Sequence, residues 1–214
     1  MRTLVIETAT QALSLALLDD DVVKAAAHEA VGRGHAEKLV PAIAALPGGG
    51  RADAIAVDVG PGSFTGVRIG LAAARALAFA WNVPITGYSA LALVAAAVCR
   101  EHAVGQDIVV AMTGGHGELF WQRFDCAKGT ARTDLASTPI ETLASMIDDA
   151  RVYGSGAASL IAARGHGQAI DADVRATDYI LLRPHERHLP VMPLYGRGAD
   201  ARPMADGPLA PVRS

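Results

Sequence analysis

The chain has 214 residues, enough for one large domain or two small lobes at roughly 150 residues per domain. Lys and Arg total 19 against 22 Asp and Glu, a net charge of −3 with a pI near 6.1. That lies far below the ~9 of a dedicated nucleic-acid binder and excludes a protein that coats DNA or RNA by itself. At 51% hydrophobic, with 22 Gly and 11 Pro, the composition also excludes disorder, collagen and mucin-like stalks.

Thr3–Glu7, Ser14–Asp19 and Val22–Glu29 are three β-prone runs joined by short polar turns such as Asp19–Asp21, which predicts an antiparallel meander. No signal peptide is read in this start, because Glu7 and Asp19–Asp21 interrupt where an apolar core and a cleavage site belong. Leu39, Ala42, Ile43 and Leu46 mark a helix over Ala36–Leu46, bent or begun early at Pro41 and ended by Pro47 and Gly48–Gly50. The apolar stretch Ala54–Val59, the loop Gly60–Gly66 and an Ala-rich helix to Trp81 follow as strand, glycine loop and helix, the order of a parallel crossover unit.

Ser89 is placed to cap a helix running to about Glu101, which contains the longest apolar run, Ala90–Cys99. Ten residues is short of the ~18 that cross a membrane. His102–Gln106 reads as a boundary dividing an N-terminal lobe, residues 1–103, from a smaller C-terminal lobe, residues 104–214. The second half predicts strands at Asp107–Met112 and Glu118–Asp125 and a helix after Pro139. A strand at Arg151–Gly154 and a helix at Gly156–Arg164 complete it. Cys99 and Cys126 are read as two buried thiols in a reducing cytoplasm.

The loop Gly60, Pro61, Gly62, Ser63, Phe64, Thr65, Gly66 invites a phosphate-cradle reading, yet both dinucleotide and P-loop spacings put Thr65 where glycine belongs. The alternative is a sharp strand-to-helix turn with Thr65 as cap. On the following helix Gly66, Gly70, Ala74, Leu77 and Trp81 form a small-residue face for packing on the sheet, while Arg68, Ala72, Arg75 and Phe79 form an opposite face with the composition of a protein contact. Glu7, Thr8 and Thr10 stand where a phosphate and Mg²⁺ site would lie in a sugar-kinase lobe, or make a turn with two hydroxyl caps. His185-Glu186-Arg187-His188 has its histidines three apart instead of four and is framed by Pro184 and Pro190, so it fails as a zinc-peptidase helix. Gly114–Glu118 reads as a hairpin turn around His116, and no metal site is expected.

Gly60–Gly70, together with Leu4–Thr10 and His35–Pro41, closely resembles the TsaB (YeaZ) family, and Glu118–Trp121 and Pro193–Arg197 resemble two further segments of it. The resemblance implies an α/β, two-lobed actin-like ATPase (ASKHA, RNase H-like) fold with mixed β-sheets flanked by helices. It implies a non-catalytic subunit that pairs with a TsaD-like enzyme, aided by a TsaE-like ATPase, in threonylcarbamoyl transfer to the adenosine beside the anticodon of tRNA. The chain alone would be a homodimer, tRNA would be met only through the complex, and no membrane is involved. In that family the two N-terminal helices make both contacts, which points to Leu39, Val40, Ile43, Arg68, Leu71, Ala72, Arg75 and Phe79. No intrinsic cofactor is implied, and ATP or ADP would sit only at the partner interface. Two departures stand out: Glu7 replaces the family's Asp, and Met112–Gly117 replaces its Asp-Ala-Arg-x-x-Glu segment. The competing reading is a small ATP-dependent ASKHA kinase of a sugar or carboxylate. A basic excess over Ile180–Ser214, five Arg against three acids, is a candidate tRNA contact in the assembled complex.

Overall fold

The computed structural model describes residues 1–101 and 105–194. Strands β1 (Arg2–Glu7), β2 (Ala12–Asp19) and β3 (Val22–Ala30) form the expected antiparallel meander. It turns at Asp20 and Asp21, which adopt φ of 45° and 64°, a region acidic turn residues tolerate. Helix α1 (His35–Ala45) crosses to β4 (Ala54–Asp58), α2 (Phe64–Trp81) to β5 (Ile85–Tyr88), and α3 (Ala90–Glu101) follows. β4 joins β1 in parallel and β5 joins β4, completing a mixed sheet in the order β3-β2-β1-β4-β5.

The second sheet contains β6 (Asp107–Thr113), β7 (Glu118–Asp125), β8 (Thr130–Ala131), β9 (Ala136–Pro139), β10 (Arg151–Tyr153) and β11 (Gln168–Ile170). Its order is β11-β10-β6-β7-β8 with β9 on β7, and α4 (Ile140–Met146) and α5 (Ala157–Arg164) flank it. The α/β class with two mixed sheets flanked by helices is thus the observed one. The boundary expected at 103/104 falls in residues 102–104, outside the described ones.

Strand alternation sorts the apolar side chains into layers. Leu4, Ile6, Leu13, Leu15, Leu17, Ile55 and Val57 point to one face of the first sheet, where α1 and α2 cover them. Val5, Ala16, Leu18 and Ala56 point to the other face and meet α3 together with Ile108, Val110 and Met112 of the second sheet. Val109, Ala111 and Val152 point away to α4 and α5. Both faces of β1, β2, β4 and β6 are covered, which is why these strands read as continuous apolar runs.

From Val174 the chain returns to the first sheet. The Ala176 N–H donates to Ser14 Oγ at 3.0 Å, Tyr179 stacks edge-on against Tyr88 with centroids 5.3 Å apart, and Arg187 bonds Asp21 and the Leu182 and Ile180 carbonyls. Leu189 then pairs with Gly87 at the edge of β5, and the Leu194 N–H donates to the Val59 carbonyl at 2.7 Å. The family-like ending is described only as far as Pro193-Leu194. Tyr195, Gly196, Arg197 and the rest of the basic tail lie outside the described residues.

Three local expectations are corrected. A proline inside a helix removes one backbone hydrogen bond and crowds the preceding turn, yet α1 runs unbroken through Pro41 to Ala45 because buried Leu39 and Ile43 anchor it on either side. Helix α2 starts at Phe64, and its cap is Ser63, whose hydroxyl accepts from the Gly66 N–H, instead of Thr65. Cys99 and Cys126 are bonded to each other across a Cα separation of 5.3 Å, tying α3 to the end of β7. Cysteine usage therefore gives no argument for a reducing compartment.

The bond spans 27 residues, a loop whose closure constrains the unfolded chain by about 3–4 kcal/mol in the chain-entropy picture. Denaturant unfolding with and without a thiol reductant should differ by that order, and equal midpoints would mean that the bond constrains nothing. Among the described residues no helix is long and apolar enough to cross a membrane.

Candidate functional site

The glycine loop and the turn between β1 and β2 are packed backbone against backbone. The Ser63 N–H donates to the Ala9 carbonyl at 2.7 Å and Thr8 Oγ1 donates to the Gly66 carbonyl at 2.8 Å. A Cβ on Gly62 would lie 2.2 Å from the Ala9 oxygen, one on Gly66 2.1 Å from the Thr8 oxygen, and one on Gly70 2.3 Å from Thr8 Oγ1. These glycines bring α2 onto the turn, so the sharp-turn reading of the loop is the one its geometry fits. The Gly60–Pro61 peptide is cis.

Glu7 and Thr8 are 0% and 1% exposed, Thr8 beneath that contact and Glu7 on the opposite face of β1, the face that carries Val5 toward α3. This corrects their reading as a residual nucleotide site, because both side chains are buried in the sheet's two faces and neither lines the cleft. Thr10 does border the cleft, where its hydroxyl bonds the Ala12 backbone. Sequence reasoning missed the partner of Glu7, which is Asp58, equally buried at the end of β4. The available signal was a carboxylate closing an apolar strand two residues before Gly60. Burial, then the neighbouring Asp58 charge, pushes the Glu7 carboxyl well above the usual range. Burial also raises Asp58, to about 6, against hydrogen bonds that favour its charged form.

The opposite side of α2 is a surface. Phe79 is 90% exposed and Val40 on α1 is 58% exposed, while Arg68, Ala72 and Arg75 are also exposed. Phe64, 65% exposed, lies under the Arg68 guanidinium, 3.2 Å from its ring centroid. Leu39, Ile43 and Leu71, expected on this surface, are 1–3% exposed and belong to the core beneath α1 and α2. The helical period that brings them to the same helices turns them inward. Arg75 donates to the Val191 carbonyl, holding the returning C-terminal segment against α2.

A cleft of about 1540 Å³ separates the two sheets' loops. It is bordered by Thr10 and Gln11, by Ser63, Phe64 and Arg68 at the start of α2, and by the Thr113–His116 hairpin. His28, Arg33, Asp171 and Leu194 close the rim. His116 sits at φ 61° in a turn closed by the Gly114 N–H on the Glu118 carbonyl, as the hairpin reading expects. The His185–His188 stretch overlaps a 3-10 turn, Pro184–Arg187, in which Glu186 accepts from the Arg183 N–H and Arg187 bonds Asp21. Glu186 and Arg187 thus serve the fold.

Comparisons with known proteins agree in direction. Residues 27–173 match the family described as TsaD, tRNA N6-adenosine threonylcarbamoyltransferase. The chain is 36% identical over 129 residues to the tRNA threonylcarbamoyladenosine biosynthesis protein TsaB of Escherichia coli, covering 58% of this chain and 55% of that protein. It thus spans about half the length of the curated relatives it matches first. Among solved structures it is similar to YeaZ from Pseudomonas aeruginosa, with 30% identity, a TM-score of 0.72, and 91% of this chain and 99% of that one covered. A second Pseudomonas aeruginosa structure, described as an uncharacterized protein with similarity to peptidase YEAZ, gives 28% identity and a TM-score of 0.75 over 92% and 99%.

Proposed function

We propose a function from one premise: the chain belongs to the TsaB (YeaZ) family, within the wider TsaD threonylcarbamoyltransferase family. On this reading it is a subunit of tRNA threonylcarbamoyladenosine (t6A) biosynthesis that pairs with a TsaD-like enzyme and leaves the chemistry to it. The observation that carries the reading is the α1–α2 surface, where Val40, Arg68, Ala72, Arg75 and Phe79 are all exposed. An aromatic ring in water beside arginine is the composition of a docking surface. The same surface serves for a homodimer of the lone chain, which the enzyme partner displaces.

The non-catalytic role is supported by the buried Glu7 and Thr8 and by a glycine loop filled with backbone. These features disfavour the kinase alternative, since a phosphate and Mg²⁺ site needs carboxylates it can reach. Phe64 and Arg68 belong both to the cleft rim and to the α2 surface. An ATP or ADP bound by this chain would therefore lie at the partner interface. A TsaE-like ATPase and the tRNA join through the assembled complex.

Co-expression with the same organism's TsaD-like protein, followed by size-exclusion chromatography with light scattering, tests the reading. A heterocomplex replacing the homodimer is expected. A chain that elutes alone at high concentration of both proteins would overturn it.

A further inference from the structure

Glu7 and Asp58 form an unusual pair: two carboxyls, both 0% exposed, on adjacent parallel strands. Among the described residues neither has a cationic partner. Each uses one oxygen to hold a turn, Glu7 Oε1 accepting from the Ala9 N–H at 2.7 Å and Asp58 Oδ1 from the Gly60 N–H at 2.8 Å. The remaining oxygens, Glu7 Oε2 and Asp58 Oδ2, find no protein N–H or O–H donor. Glu7 and Asp58 directly follow Ile6 and Val57, which are paired across β1 and β4, so the two carboxyls are neighbours on the same side of the sheet, and a contact between them is favourable only when one of them carries a proton.

We propose that Glu7 and Asp58 share a single proton, with Glu7 the acid and Asp58 the anion, and that this pair locks the β1–β2 turn to the Gly60 loop. Asp58 is the anion because it accepts from the Gly60 amide and is also stabilised by the Ala90 amide at the start of α3, where a negative charge is favoured. Glu7 lies deeper in charge terms, since its largest perturbations after burial come from Asp58 itself. The other titratable groups facing the pair are Tyr88 on β5, whose hydroxyl donates to the Ile6 carbonyl, and Tyr179 against its ring. Burial holds both phenols neutral at ordinary pH. The inference needs no partner and stands apart from the proposed function.

The sign follows from proton counting. At neutral pH Glu7 is ionised in the unfolded chain and protonated in the folded one, so folding takes up a proton. Stability is fully present below the ordinary carboxylate range and falls as pH rises through neutral, by up to tenfold in the folding equilibrium constant per pH unit. Glu7→Gln keeps an oxygen for the Ala9 N–H and supplies an N–H to Asp58 without titrating.

Urea unfolding of the full chain between pH 5.5 and 8.5 should therefore show wild type losing stability relative to Glu7→Gln as pH rises. Parallel pH profiles of the two would overturn the proposal. If the variant does not fold, carboxyl ¹³C NMR of wild type decides. One glutamate that stays protonated at pH 7 supports the pair, and ordinary titration of every glutamate refutes it.

Discussion

Gly66→Ala should destabilise the fold by about 3 kcal/mol, the upper end of what overpacking costs. The new methyl would sit 2.1 Å from the Thr8 carbonyl oxygen and 3.3 Å from Ser63 Cβ. Thr8 cannot yield cheaply, because its own hydroxyl is bonded to the Gly66 carbonyl and the next residue accepts from the Ser63 N–H. Alanine in a helix is worth up to about 1 kcal/mol over glycine, so propensity opposes the clash and loses. Gly115, with nothing within 4 Å of an added Cβ, is the control and should tolerate alanine with little change. Chemical denaturation of both variants checks this, and a Gly66→Ala chain as stable as wild type would mean that the close backbone approach is wrong.

The second large effect is on association. Phe79→Ala should weaken the proposed complex with a TsaD-like partner by about 2 kcal/mol or more, some thirtyfold in Kd, as expected for an aromatic anchor at the centre of an interface. Folding should change by no more than about 0.5 kcal/mol, because the ring is 90% exposed and supports no core. Arg75 is the poorer probe. Its guanidinium holds the Val191 carbonyl, so Arg75→Glu would disturb the C-terminal segment as well as the surface. Leu39, Ile43 and Leu71 are poorer still, since truncating such core residues costs about 2–5 kcal/mol of folding. A titration showing equal affinity for wild type and Phe79→Ala would remove this surface from the interface.

The meander and the crossover units were legible because each strand of the first sheet is bounded by turn residues and because the glycine loop separates a strand from a helix. The outward side of α2 was equally legible from the spacing of Arg68, Ala72, Arg75 and Phe79, which alternates with the buried Gly66, Gly70 and Ala74 at the helical period. What periodicity misses is anything decided between distant segments. Glu7 and Asp58 are 51 positions apart and meet only through the register of two parallel strands. Cys99 and Cys126 carry no spacing signal, since their pairing depends on how α3 lies across the second sheet. Thr65 and Ser63 are both competent caps, and the one chosen follows from where the Ala9 carbonyl captures the chain. The short strands β8 and β11, of 2 and 3 residues, contain too few side chains to show alternation.

The return of the C-terminal segment to the first sheet has a temporal side. Gly87 acquires its partner Leu189 only after about a hundred further residues have been made, and Val59 waits longer for Leu194. At roughly 5–20 residues per second, the edge of β5 is open on the ribosome for several seconds. Arg75 likewise has no carbonyl to hold until Val191 emerges. The flank of α2 is therefore finished last, and a prematurely released chain would present it incomplete. Assembly on that flank would select for chains that have been synthesised to the end of the segment.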